Sequence, residues 1–214
     1  MRISDYNTFI FDWDGTLSTS TFIVHLTKFF KRRYGVDYIT AHAREYKKGV
    51  SDSRIIRSAE EHEIHSSAIY EFLYSVYLIL GKPKPREGSV ELLKHLKKKG
   101  KQIAVFSDAK KYRLVRELRM LGMAGYIDFI VSADEIHSFK PYPTGINIAI
   151  RALRSRKGTS IYIGDMPVDV FTAKFAGIAS CAVLGGMSSK SALKRAKPDF
   201  IFDSLEAIRK ALGN

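Results

Sequence analysis

The chain predicts an α/β fold, a doubly wound parallel sheet with a small α-helical insertion after its first strand. Three observations lead there. Past Pro85, short apolar runs alternate with amphipathic stretches, the rhythm of strands joined by crossover helices. The run Phe9-Ile10-Phe11 is too short for a helix and ends at Asp12-Trp13-Asp14-Gly15-Thr16, whose Asp and Gly suit a turn at a strand end. Between these regions, from about Thr19 to Leu80, no β-rich run occurs.

In chain order, Phe9 to Phe11 is the first strand. The insertion then carries Phe22, Leu26, Phe29 and Phe30 at spacings of three and four, which is a helical stripe. Ser51 or Asp52 caps a second helix with Ile55, Ile56 and Ala59 on one face. A third runs from Ser66 to Leu80, with Ile69, Phe72, Leu73, Val76, Tyr77 and Leu80. Gly81-Lys82-Pro83-Lys84-Pro85 breaks it and reads as a linker. The expected division is therefore residues 1–17 and 86–214 as the core, and 18–85 as a helical bundle. In the core, Ser89 to Lys99 is an amphipathic helix stopped by Gly100, and Gln102 to Phe106 a strand ending at Ser107-Asp108. A helix over Lys110 to Leu121 closes near Gly122, and a strand follows over Tyr126 to Ser132. Pro143 to Arg154 is helical, Ser160 to Ile163 a strand, and Val168 to Phe175 a helix ended by Gly177. Ala179 to Leu184 and Asp199 to Phe202 are the last strands, and Leu205 to Leu212 the last helix. Such alternation implies parallel strands covered on both faces.

Bulk properties narrow the function classes. A hydrophobic fraction of 45% supplies a substantial core and argues against global disorder. The single cysteine, Cys181, excludes a disulfide framework within one chain and fits a reducing, cytoplasmic setting. Met1-Arg2-Ile3-Ser4-Asp5 lacks the apolar segment of a signal peptide, and the longest apolar stretch, near Phe72 to Leu80, is too short for a membrane span. The formal charge of +13 keeps polyanions and phosphorylated metabolites in view. Much of it falls between Ser20 and Arg57, where nine Lys and Arg face three acidic residues.

Four polar clusters carry the chemistry: Asp12 with Asp14, Ser107 with Asp108, Lys140, and Asp165 with Asp169. Each follows an expected strand, and parallel connectivity delivers all four to one edge of the sheet. Singly they are weak signals, since Asp and Gly favour turns and Ser after a strand is commonly a helix cap. Their joint order carries the inference. Residues two apart on an extended chain point the same way, so Asp12 and Asp14 are expected to share a pocket, where two carboxylates repel unless a cation intervenes. A carboxylate nucleophile approaching an anionic phosphate needs that charge offset, which a hard divalent cation and Lys140 supply. His62 and His65 stand three apart, without further ligands at zinc-like spacing.

With these motifs the chain resembles the haloacid dehalogenase-like hydrolase superfamily, in its phosphoglycolate phosphatase-like branch with a helical cap. The likeness covers nearly the whole chain, including Pro85-Arg86-Glu87-Gly88-Ser89-Val90, similar to the family's return to its Rossmann-like core. It implies Asp12 as nucleophile, Asp14 as general acid/base, and Ser107 and Lys140 as phosphate-binding groups. Asp108 stands in that pocket where many relatives carry Asn, and Met166 where a hydroxyl residue is common. The resemblance implies Mg²⁺ held by Asp12, Asp165 and the Asp14 backbone carbonyl, supported by Asp169. The expected activity is hydrolysis of a small phosphorylated metabolite through an aspartyl-phosphate, with the cap closing over the substrate. A sugar phosphomutase is the rival within the family. A nucleic-acid-binding or end-processing protein using the basic segment is the rival outside it.

Overall fold

The computed structural model describes residues 1–19, 76 and 81–213. The chain divides into two compact units, Met1–Thr19 with Pro83–Asn214, and Ser20–Lys82. Apart from residue 76, which is helical, the helical readings between Thr19 and Leu80 lie outside the described residues, as do the basic run, His62 and His65.

In the first unit the strands are β1 (Thr8–Phe11), β2 (Ser18–Thr19), β3 (Lys84–Pro85), β4 (Gln102–Ser107), β5 (Phe129–Ser132), β6 (Ser160–Gly164), β7 (Ala179–Val183) and β8 (Phe200–Phe202). The described helices are α1 (Ser89–Lys98), α2 (Lys111–Met120), α3 (Ala133–Ile136), α4 (Thr144–Ala152), α5 (Pro167–Ala176), α6 (Lys190–Ala196) and α7 (Leu205–Ala211). Six strands form one sheet in the order β5-β4-β1-β6-β7-β8. Every pairing in it is parallel, with Ile10 opposite Ala104 on one side and Tyr162 on the other. The chain leaves β1 for β4 and β5, then crosses back to β6. That reversal opens a crevice at the carboxyl ends of β1, β4 and β6, where ligands bind in such sheets.

The period-two alternation of the strands builds two cores. Phe9, Phe11, Ile103, Val105, Ile161 and Ile163 face one cluster with Leu92, Leu93, Leu96, Leu114, Leu118, Leu205 and Ile208 from α1, α2 and α7. Ile10, Ala104, Phe106 and Tyr162 face the other, with Ile146, Ala149 and Ala173 from α4 and α5. Each large apolar side chain buried this way contributes about 1.5–3 kcal/mol. Burial on both faces explains why these strands read as continuous apolar runs.

Three local expectations change. Lys84–Pro85 is a strand, paired antiparallel with Ser18–Thr19, so the two segments flanking residues 20–83 run side by side instead of serving as a plain linker. The fifth strand starts at Phe129, because Ala124–Tyr126 close a 3₁₀ turn first. The Asp128 carboxylate then accepts from the Ile103 backbone N–H at 2.8 Å and from Lys97 Nζ at 2.7 Å. Helices α3 and α6 were not anticipated. In the Lys-rich α6 only Leu193 and Ala196 are buried, too sparse a stripe to read as a period.

Candidate active site

The Asp12 backbone N–H donates to the Ile163 carbonyl at 2.9 Å, so the β1–β6 ladder reaches one residue past the strand. The chain then turns sharply. The N–H groups of Thr16, Leu17 and Ser18 all lie within 3.2 Å of the Trp13 carbonyl. Gly15 takes φ +84°, and a Cβ there would lie 2.4 Å from the Asp165 carboxylate. Glycine is needed at this point both for the backbone angle and for the approach.

Asp12, Asp165 and Asp169 converge here, each offering a carboxylate oxygen within 4.8 Å of the others, and all three are buried. Asp12 ends β1, Asp165 follows β6, and Asp169 lies in the first turn of α5. Lys140 reaches into the group from the loop before α4. Its Nζ pairs with Asp12, lies 2.9 Å from Asp169, and its side chain is only 5% exposed. The ammonium also stands 5.8 Å and 5.6 Å from the Phe106 and Tyr162 ring centroids. Asp165 accepts from Thr16 Oγ1 at 2.9 Å and from the Met187 backbone N–H at 2.5 Å. Asp169 accepts from the Met166 N–H at 3.0 Å, which caps α5 where the Met166 side chain has no oxygen to offer.

Burial pushes the Asp12 carboxyl well above its ordinary range, the Lys140 charge opposing and Asp169 and Asp165 reinforcing the rise. Burial, with the neighbouring Asp169 charge, pushes Asp165 up to about 6. Burial disfavours the Lys140 ammonium, but Asp12 and Asp169 outweigh it and hold the amine protonated well beyond its usual value. Three carboxylates against one ammonium leave two negative charges in a buried space when all are ionised. Hard oxygen ligands with that excess charge fit Mg²⁺.

Ser107 ends β4 and is buried; its Oγ accepts from the Ala109 N–H at 3.1 Å, which leaves its own proton to donate. Asp108 is exposed and accepts from the Lys140 backbone N–H at 3.2 Å, joining the Ser107 loop to the Lys140 loop. Asp14 is held from another element. Its side chain is outside the three-carboxylate group, and its Oδ2 pairs with Arg113 on α2.

Several participants were missed by sequence reasoning. Thr16 sat inside the motif but without a role, and the Gly185-Gly186 pair after β7 was a usable signal for the Met187 loop. Arg113 is 2% exposed, although Arg and Glu at i and i+4 are ordinarily partners on a solvated helix face. Arg86 donates to the carbonyls of Gly15, at 2.6 Å, and Leu184, binding β3 to two loops of the site. Among the described residues, no helix is long and apolar enough to cross a membrane.

The family described as Haloacid dehalogenase-like hydrolase matches residues 9–183 of the chain. A curated relative, Pyrophosphatase PpaX of Halalkalibacterium halodurans, is 23% identical over 219 residues, covering 98% of either chain. Among solved structures, a HAD family hydrolase from Deinococcus radiodurans, determined with bound phosphate and sodium, superposes with a TM-score of 0.70 at 19% identity, covering 98% of this chain and 96% of that one. A conserved haloacid dehalogenase-like protein of unknown function from Agrobacterium tumefaciens gives 0.70 at 18% identity, with 97% of each chain covered. At these identities the two structures speak to the fold alone.

Proposed function

Because the chain belongs to the haloacid dehalogenase-like hydrolase family, matched over residues 9–183, we propose that it is a Mg²⁺-dependent phosphatase of small phosphorylated metabolites. The observation that carries the reading is the buried convergence of Asp12, Asp165 and Asp169 around the Lys140 ammonium.

Asp12, Asp165 and Asp169, with the Asp14 backbone carbonyl, are the groups for Mg²⁺, which when bound supplies charge neutralisation for an anionic substrate meeting a carboxylate. Asp12 attacks phosphorus, and the bond from phosphorus to the leaving oxygen breaks. Asp14 gives that oxygen a proton, so the alcohol departs neutral and Asp12 carries the phosphoryl group. Asp14 then takes a proton from water, whose oxygen attacks phosphorus. The bond to Asp12 breaks, inorganic phosphate leaves, and Asp12 is regenerated. Lys140 and the Ser107 hydroxyl hold the phosphoryl oxygens throughout. Asp108 sets the Lys140 loop against the Ser107 loop.

A second reading, hydrolysis of inorganic pyrophosphate by the same groups, is supported by the name of the Halalkalibacterium relative, which matches over 98% of the chain. One experiment tests both. Phosphate release is measured over a panel of small phosphomonoesters and pyrophosphate, with and without Mg²⁺, for the wild-type chain and Asp12→Asn. Turnover that needs Mg²⁺ and falls about 10³-fold or more in the variant is expected. Near-wild-type rates in Asp12→Asn sink the mechanism, and a chain that consumes a sugar phosphate while releasing little phosphate is a mutase.

A further inference from the structure

Two consecutive residues of the Asp12–Thr16 turn are docked onto α2 through a buried polar chain. Trp13 is fully buried, and its indole N–H needs an acceptor, which Glu117 Oε2 provides at 2.6 Å. Glu117 is itself fully buried, and Arg113 Nε stands 3.8 Å from its other oxygen. The Arg113 guanidinium in turn donates to Asp14 Oδ2. Buried ion pairs of this kind are weak sources of stability, because removing both charges from water costs about as much as their attraction returns. What the chain does provide is direction. It fixes one Asp14 oxygen from a helix that starts four residues after Ser107. Asp14 keeps 19% of its side chain exposed, whereas Asp12 keeps 7%. The more accessible carboxylate is the one positioned to meet a departing group.

We propose that Arg113 is the positioning residue for the Asp14 carboxylate, aiming it at the leaving oxygen. The inference rests on the reading of Asp14 as general acid/base. A side chain needed only to neutralise Glu117 would affect every substrate alike. One that aims a proton donor matters where the leaving group needs that proton, and little where it departs as a stable anion.

The test compares an alkyl phosphate with p-nitrophenyl phosphate in Arg113→Met/Glu117→Gln, which removes both charges and keeps an acceptor for Trp13, and in Arg113→Lys. The ratio of the two kcat/KM values reports the first step alone, not the hydrolysis of the aspartyl-phosphate common to both substrates, and it cancels any loss of folded protein. In the double variant kcat/KM on the alkyl phosphate should fall about 10²-fold and on the aryl phosphate less than about 3-fold, with Arg113→Lys recovering part of the ratio. Equal losses on both substrates, or an unchanged ratio in both variants, overturn the proposal while leaving the phosphatase reading intact. Asp14→Asn is the separate control: if it fails to shift the ratio, the acid/base assignment falls, and the positioning role with it.

Discussion

Substituting Asp165 by Asn should make the metal-free protein less sensitive to rising pH. The Asp165 carboxyl is fully buried, and its pKa is lifted from 3.8 to about 6. Between those values the folded chain binds more protons than the unfolded chain, so stability falls as pH rises through the window. The full penalty is about two pKa units, or about 3 kcal/mol, absent near pH 3 and complete above about pH 6.5. About half of it, ~1.5 kcal/mol, develops between pH 5 and pH 7.5. For a chain of this size that corresponds to roughly 3–6 °C in Tm. Asp12 is raised as well, and acts with the same sign. Thermal unfolding in EDTA, followed by circular dichroism at pH 5 and 7.5, gives the wild-type difference. The same pair of scans on Asp165→Asn gives a reference in which this carboxyl is gone and the titrations elsewhere remain. The wild type should lose the stated increment relative to the variant. Identical pH dependences in the two proteins would refute the electrostatic account of the site.

Other outcomes follow from the same geometry. Mg²⁺ should raise Tm more at pH 7.5 than at pH 5, because fewer protons compete for the carboxylates, and Asp169→Asn should blunt that response in the same scans. Lys140→Met leaves three converging buried carboxylates without their ammonium and should destabilise the metal-free chain by about 3–5 kcal/mol in urea unfolding at pH 7.5. Gly15→Ala forces a Cβ to within 2.4 Å of Asp165 at φ +84° and should cut phosphatase turnover at least about 10-fold, read by phosphate release. Cys181 is 2% exposed with its thiol pushed up by burial, so Ellman's reagent should label it only at the rate of unfolding.

The sheet was legible because strands buried on both faces must be mostly apolar, and β1, β4, β6 and β7 are. The polar residues at their ends stood out against that background, so Asp12, Ser107 and Asp165 could be placed at one sheet edge from order alone. What escaped had its cause in three dimensions. Arg113 and Glu117 carry the signature of a solvated helix face, and nothing in their spacing says that both are buried with the Trp13 indole donating to Glu117. Lys140 was expected just beyond a strand but lies past the short helix α3, which its four residues cannot advertise.

The antiparallel pairing of Ser18 and Thr19 with Pro85 and Lys84 has a consequence for how this chain can vary. By fixing the two ends of the intervening segment beside each other, it makes that segment a closed loop on the first unit. The entropy of closing such a loop grows only logarithmically, about 0.6 kcal/mol for each doubling of its length. Residues 20–83 can therefore be lengthened, trimmed or exchanged for another module with little effect on the sheet. The carboxyl edge of the sheet is free to stay constant while the intervening segment varies.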